Sequence, residues 1–170
     1  YGTMEFFLAC KSHNIKPLIG LKIKLNDTYL YLYPKNNIGY KRLLKINTLK
    51  EENNLVLSDI LKDSHELLIV VPVLFMRVYE EFVNLANTYV AYTSEIEKYK
   101  ALEFTSRVIF MPEINLFNSN DSSYLRLLKA IDNNTLFKSV LEEDNKHHAW
   151  DFYTTTTEIE EEIKGFASLI

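Results

Sequence analysis

Short apolar runs of period two alternate along this chain with stretches of helical period. Met4, Phe7 and Leu8 share one face of a segment that predicts a helix over 3–14, ended by Pro17. Residues 18–25 place apolar side chains at 19, 21, 23 and 25 and predict a strand. Asn26-Asp27 is a turn signal, so 28–33 is expected to form the second arm of a hairpin. In that arm Leu30 and Leu32 alternate with Tyr29, Tyr31 and Tyr33, which makes both faces partly apolar, and Pro34 closes it.

Asn36 and Asn37 are suitable caps for a helix over 38–49, with Leu43, Leu44 and Ile46 on its apolar side. A helical turn is expected at 58–62. Residues 66–74 are almost continuously apolar, the signature of a strand buried on both faces. A helix over 75–87 would carry Val78, Phe82, Val83 and Leu85, and 88–93 reads as another strand. Ser94 with Glu97 three residues later has the spacing of a capping box and opens a helix over 95–104; a last short strand follows at 107–111. This repeated alternation predicts an α/β protein, a layer or barrel with parallel strands.

The character changes after Asn118. Asp121 begins a helix with Tyr124, Leu127, Leu128 and Ile131 on one face, and 137–152 is irregular. Thr154 to Thr157 then precede Glu158, Glu160, Glu161 and Glu162. Thr157 and Glu160 have capping-box spacing, and acids in a first turn complement the helix dipole, so the acidic cluster reads as a capped, solvent-facing helix start.

With 170 residues one domain and a sizeable core are expected. A formal net charge of −4 supplies no overall attraction to nucleic acid. A local basic patch is offered by Lys41, Arg42, Lys45 and Lys50, for which a solvated helix face is the plainer reading. Cys10 is the single cysteine, which rules out an internal disulfide and fits a reducing cytoplasm; among Phe6, Phe7, Leu8 and Ala9 it reads as a small core residue. No run approaches the roughly 18 apolar residues of a membrane span. The chain begins with Tyr1 rather than Met and is expected to start inside a longer product.

The run Tyr1-Gly2-Thr3-Met4-Glu5-Phe6-Phe7-Leu8-Ala9-Cys10-Lys11, followed by Asn14-Ile15-Lys16-Pro17-Leu18-Ile19-Gly20-Leu21-Lys22-Ile23, resembles the start of the PHP (polymerase and histidinol phosphatase) domain of bacterial DNA polymerase III alpha subunits, where the pattern reads "YG…F…AC…IKPI-GLE". Pro34-Lys35-Asn36-Asn37-Ile38-Gly39-Tyr40-Lys41 with Leu43-Leu44-Lys45-Ile46 is similar to the family's "AKN-GY-NL-KL" segment. Phe117-Asn118 and Leu127-Leu128-Lys129-Ala130-Ile131 resemble the stretch around its later "LL-AI" helix. Phe152-Tyr153 and the Thr/Glu helix resemble the passage toward the polymerase palm, whereas between 55 and 106 only the rhythm of elements matches. The resemblance implies a distorted (β/α)7 barrel, here lacking its first strand, over 1–118, and a helical extension over 119–170 that closes the domain and leads to the polymerase core.

In metal-binding members of that family, His, Asp and Glu at strand ends hold a metal cluster that activates water for phosphoester hydrolysis, including 3′–5′ exonuclease proofreading. The Glu that ends the opening motif corresponds to Lys22, and a charged lysine has no lone pair to give a metal. The closing Asp-x-His motif falls on Glu113-Ile114-Asn115. Glu113 could still ligate, but Asn115 offers an amide oxygen where an imidazole is implied. No His lies between Glu66 and Leu141, and the family's first His-x-His motif would precede Tyr1. The implied site is degenerate, with no catalytic and no metal-binding residue expected. A salt bridge between Lys22 and Glu113 would fill its place; the plain alternative is an exposed lysine on an edge strand.

Other candidates have plain readings. His13 suits a helix C-terminus, and His65 a loop. His147 and His148, with Asp144 and Asp151, could bind zinc adventitiously, but a solvated loop is the preferred reading. Trp150, Phe152 and Tyr153 are expected to anchor their segment to the core rather than stack on a base. No Gly-rich phosphate loop or Gly-x-Ser-x-Gly elbow is present.

The resulting expectation is the N-terminal PHP region of a replicative polymerase alpha subunit, acting as a structural or interaction domain. Its implied partners are the rest of the polymerase chain, DNA through the parent protein, a proofreading exonuclease subunit and other replisome proteins, with no membrane. The fragment needs no cofactor on this reading, and magnesium belongs to the parent's polymerase site. The alternatives are a metal-dependent phosphoesterase or 3′–5′ exonuclease, against which the ligand count weighs, and a stand-alone binding module, which the length of the native gene would decide.

Overall fold

Leu67, Leu68, Ile69, Val70 and Val71 are each 0–1% exposed, so the strand they form needs an apolar layer on both sides. The computed structural model that shows this describes residues 2–25, 27–62, 64–132, 134 and 145–170. Asn26 of the expected turn, residues 137–144 of the irregular segment, and Asp144 with them, lie outside the described residues.

Two compact units are present, one built from Tyr1–Ile109 with Glu161–Ile170 and the other from Phe110–Glu160. In chain order the first contains α1 (Thr3–Ser12), β1 (Leu21–Leu25), β2 (Thr28–Pro34), α2 (Asn37–Glu51), α3 (Leu57–Leu61), β3 (Leu67–Pro72), α4 (Glu80–Val83), β4 (Thr88–Tyr92), α5 (Glu95–Leu102) and β5 (Val108–Phe110), whose last residue belongs to the second unit. The strands form one open sheet in the order β1-β2-β3-β4-β5.

The α/β expectation holds, but the sheet is mixed rather than parallel. β1 and β2 pair as the expected hairpin, β2 and β3 are also antiparallel, and β3 and β4 are parallel. The reason lies between β2 and β3. The chain leaves β2 through α2 and α3 and returns to the same end of the sheet, pairing Pro34 with Leu67. The Lys35 amide donates to the Glu66 carbonyl at 3.1 Å, which closes this return.

One sheet face carries Ile23, Leu30, Leu32, Ile69 and Val71. It packs against Leu43 and Ile46 of α2, Ile60 of α3, and Tyr79 and Phe82 around α4. Each such side chain contributes roughly 1.5–3 kcal/mol when fully buried. The Tyr79 hydroxyl lies 2.6 Å from Thr28 Oγ1, so the polar end of this core aromatic is satisfied. The opposite face presents the row Lys22, Tyr31, Val70, Tyr89, with Tyr33 beside Leu68 in the next row.

Local signals set the starts of α2 and α5. Asn36 Oδ1 accepts from the Ile38 and Gly39 amides at 2.9 Å and caps α2. Ser94 Oγ accepts from the Glu97 amide, but the Glu97 carboxylate reaches back to Thr93 N at 2.7 Å and Thr93 Oγ1 at 2.8 Å, one residue earlier than a capping box requires. The helix expected over 75–87 shortens to α4, preceded by a 3₁₀ turn at Val73–Phe75. Phe75 is held edge-to-face against Tyr29, ring centroids 5.0 Å apart, while Tyr79 and Phe82 enter the core. Val78 is left exposed. Cys10 is buried, as its apolar neighbours suggest.

In the second unit, a 3₁₀ turn at Ser119–Asp121 leads into α6 (Ser122–Asp132), and the described part of the irregular segment, 145–152, forms 3₁₀ turns at Asn145–His148 and Trp150–Phe152. Tyr124, Leu127, Leu128 and Ile131 do share a helical face, yet all four are exposed and Ala130 is the buried residue of α6. α7 (Thr157–Ser168) begins here and ends in the first unit. Its cap is Thr156 rather than Thr157, since Thr156 Oγ1 accepts from the Ile159 amide at 3.3 Å.

Gly39 lies where α2 meets the chain's return to β3, and a Cβ at this position would run into the Glu66 carbonyl oxygen and press on Pro34 Cα. Both neighbours are backbone and cannot rotate away. Gly39→Ala is therefore expected to destabilise by about 1–3 kcal/mol despite its better helix propensity, measured by urea denaturation.

Candidate functional site

Lys22 lies on β1 and is exposed. Its ammonium nitrogen sits 4.3 Å from the centroid of the Tyr29 ring and 5.8 Å from that of Tyr31. The two rings meet edge-to-face at 5.6 Å, and Phe75 meets Tyr29 edge-to-face at 5.0 Å. Alternation of the hairpin brings this about, because Lys22 is paired with Tyr31 and Lys24 with Tyr29 on one face. Electron-rich ring faces attract a cation, by about 0.5–1 kcal/mol at an exposed site, and repel a carboxylate. The floor beneath residue 22 thus suits the lysine that is present.

The same sheet face is covered further along by Phe166 of α7, whose ring lies 5.4 Å from Tyr33 and 5.1 Å from Tyr89, edge-on to both. Polar anchors hold this helix. Lys16 Nζ donates to the carbonyls of Ala167 and Ile170, both at 2.9 Å. Lys98 of α5, only 8% exposed, places Nζ 2.9 Å from Glu162 Oε1. The Tyr92 hydroxyl donates to Glu162 Oε2 at 2.7 Å, and Lys98 lies 5.3 Å from the Tyr92 ring centroid. The Tyr92 pKa is pushed up to about 12, first by burial and then by the hydrogen bond to Glu162, with Lys98 opposing. Burial also raises Tyr33.

Glu162 therefore departs from the solvent-facing role expected of the acidic cluster, while Glu160 and Glu161 are exposed. The signal that was available is on α5, where Lys98 and Ala101 share the inward face three residues apart.

Glu113 and Asn115 belong to the second unit, and Lys22 to the first. His148 Nδ1 lies 3.0 Å from the Glu113 carbonyl oxygen and 3.3 Å from Asn115 Nδ2. The Asn115 and Leu116 amides both donate to the His148 carbonyl, at 2.8 and 3.1 Å. His148 thus meets the residues of the closing motif through their backbone and an amide. Its neighbour His147 stacks obliquely on it at 4.2 Å. Asp151 is engaged elsewhere, accepting from Ser119 N at 2.7 Å and lying 3.2 Å from Ser119 Oγ. Among the described residues no three His, Cys, Asp or Glu side chains are grouped to hold a metal ion.

The remaining candidates are dispersed. His13 Nδ1 lies 2.9 Å from the Ala9 carbonyl at the end of α1, and His65 Nε2 lies 3.4 Å from Glu66 Oε1. Trp150 and Phe152 are exposed, contrary to the anchoring role expected of them. Tyr153 is half-buried, packs on Phe110 at 5.5 Å and donates to the His147 carbonyl at 2.7 Å. The aromatic residues missed this role because the bend at 150–152 aims only the third of them inward. No helix among the described residues is long and apolar enough to cross a membrane.

No family model matches the chain. Part of it is similar to DNA polymerase III alpha subunits. The match to that of Mycoplasma genitalium is 42% identical over 56 residues, covering 31% of this chain and 6% of the relative. With that of Halalkalibacterium halodurans the identity is 32% over 82 residues, 42% of this chain and 7% of the relative. With that of Bacillus subtilis it is 38% over 61 residues, 32% and 6%. The chain is thus related to alpha subunits over part of its length, and the matched stretches cover less than a tenth of these curated relatives.

Two outcomes follow from the Tyr92, Lys98 and Glu162 network. Glu162→Ala leaves the Lys98 charge buried without its carboxylate and is expected to cost about 3–5 kcal/mol, most of it recovered when both Lys98 and Glu162 are replaced by Met; chemical denaturation of the three variants checks this. Between pH 10 and about 12 the unfolded tyrosine is ionised while folded Tyr92 keeps its proton, so the folded state binds more protons and stability falls as pH rises through this window. The contribution is complete below pH 10. Tyr92→Phe should flatten the decline by on the order of 2 kcal/mol in denaturation curves across this range, Tyr33 retaining its own share.

Proposed function

We propose that this chain is the N-terminal PHP region of a bacterial replicative DNA polymerase III alpha subunit, in which the phosphoesterase site has decayed and the region serves as a structural or interaction domain. The observation that carries this reading is Lys22. At the position where the family motif ends in a ligating Glu, this chain has a cation seated over the Tyr29 and Tyr31 rings. Partial similarity to three alpha subunits supports the same reading. The five-stranded sheet with the helices of residues 37–83 packed on one face corresponds, on this view, to an arc of the family's barrel within 1–118, and 119–170 to the passage toward the polymerase core. The parent protein would extend DNA from deoxynucleotides with magnesium held by residues of its polymerase core, in the cytoplasm. Its partners would be DNA, the remainder of the polymerase, a proofreading exonuclease subunit and other replisome proteins.

A second reading, retained phosphoesterase activity, is favoured by one observation. His148 lies beside Glu113 and Asn115, so an imidazole stands next to the closing motif although the chain lacks one within it. On that reading Glu113 and His148 would turn to share a metal. The full-length protein purified without chelator separates the two. The expected result is no stoichiometric manganese or zinc by elemental analysis and no degradation of DNA, with Lys22→Glu plus Asn115→His creating none. Two or three bound metals, with nuclease activity lost in Glu113→Ala, would overturn the structural reading.

A further inference from the structure

We infer that the cleft between α2 and the turn preceding β3 binds a phosphate group. Ile38, Lys41, Arg42 and Lys45 recur at the i, i+3, i+4, i+7 spacing and lie on one face of α2. With His65 and Glu66 they line a cleft of about 290 Å³. Lys41 and Lys45 stand one turn apart, where like charges repel, and neither makes a hydrogen bond or ion pair among the described residues. Arg42 donates from a terminal nitrogen to the Asp59 carbonyl, and its Nε is buried with no partner, so a partly buried guanidinium faces only a carbonyl dipole.

Glu66 is the one carboxylate in the lining, and it is already engaged. Its Oε2 accepts from Asn36 Nδ2 at 2.5 Å and its Oε1 lies 3.4 Å from His65 Nε2. Lys35, which approaches the same turn, is committed to the His65 carbonyl at 3.0 Å. Lys50, grouped with this patch on sequence grounds, pairs with Glu51 at 3.4 Å and lies outside the cleft. The cleft is therefore a local cationic concavity on a chain whose formal net charge is −4. Arg42 is half-buried at its floor, which a fully solvated lysine face would not provide. A phosphate group brings acceptor oxygens to Lys41 and Lys45 and a counter-charge to the Arg42 guanidinium. The shared chemistry is the phosphate, carried either by a nucleic-acid backbone or by a free anion. The inference does not depend on the polymerase reading.

The test uses the whole chain, a labelled single-stranded oligonucleotide followed by anisotropy, and inorganic phosphate followed by phosphorus NMR line broadening. Lys41→Gln with Lys45→Gln is expected to weaken binding at least tenfold. For the oligonucleotide it should also reduce the slope of log affinity against log salt by about 1.4, the share of two lysines on a single strand. Lys11→Gln with Lys100→Gln removes the same charge elsewhere and should leave affinity within twofold, circular dichroism confirming that both variants are folded. Oligonucleotide binding that excess phosphate does not displace identifies a backbone as the source. Phosphate broadening lost only in the cleft variant, without oligonucleotide binding, identifies a free anion. The inference is overturned when neither probe binds, or when the cleft and control variants weaken binding equally.

Discussion

Burial of β3 on both faces is the constraint on which the first unit depends. Five consecutive apolar residues cannot be satisfied by a single layer of helices. One side is covered by Leu43, Ile46, Ile60, Tyr79 and Phe82. On the other, Phe166 touches Tyr33 of β2 and Tyr89 of β4, the strands that flank β3, so its ring spans the central strand. The last ten residues thereby become part of a core that begins more than a hundred positions earlier.

The polar anchors of α7 follow from this arrangement. An apolar ring over a sheet leaves a helix free to slide. Lys98, Tyr92 and Glu162 at one point, and Lys16 at the carbonyls of Ala167 and Ile170, fix its position along the strands. A buried ion pair adds little net stability against a hydrophobic alternative, because desolvation offsets most of its Coulomb attraction. Its effect here is directional. Lys98 and the Tyr92 hydroxyl meet the two carboxylate oxygens of Glu162, one each, in this register of α7.

The two charged features of the first unit on which the proposals rest have different origins. Lys22 is stabilised by the aromatic residues that alternate along β2, so its setting follows from strand pairing. Lys41, Arg42 and Lys45 are brought to a concave surface by the turn at His65 and Glu66, so theirs follows from the way the chain returns to β3. The setting of Lys22 involves none of the acidic and histidine candidates of the sequence, and the cleft takes in His65 and Glu66, already paired with each other. His13, His65 and Asp151 are spent on backbone carbonyls, a neighbouring carboxylate and Ser119.

The sequence by itself determined the local elements whose cause is local. Period-two alternation placed β1 and β2 and short apolar runs placed β3 to β5, each to within a few residues; Asn36 and Ser94 announced their helices through side-chain acceptors, and the unbroken run before Pro72 declared a strand buried on both faces. It also determined that residue 22 carries a positive charge. Only the tertiary structure decided what depends on distant partners. β2 and β3 are antiparallel because of where α2 and α3 deliver the chain. Glu162 is half-buried because it meets Lys98 and Tyr92, whereas Glu160 and Glu161 in the same run stay exposed. Tyr124, Leu127, Leu128 and Ile131 have the spacing of a buried face and are exposed. Spacing establishes which side chains share a face; whether anything packs against that face is a matter of long-range contact, and no local pattern encodes it.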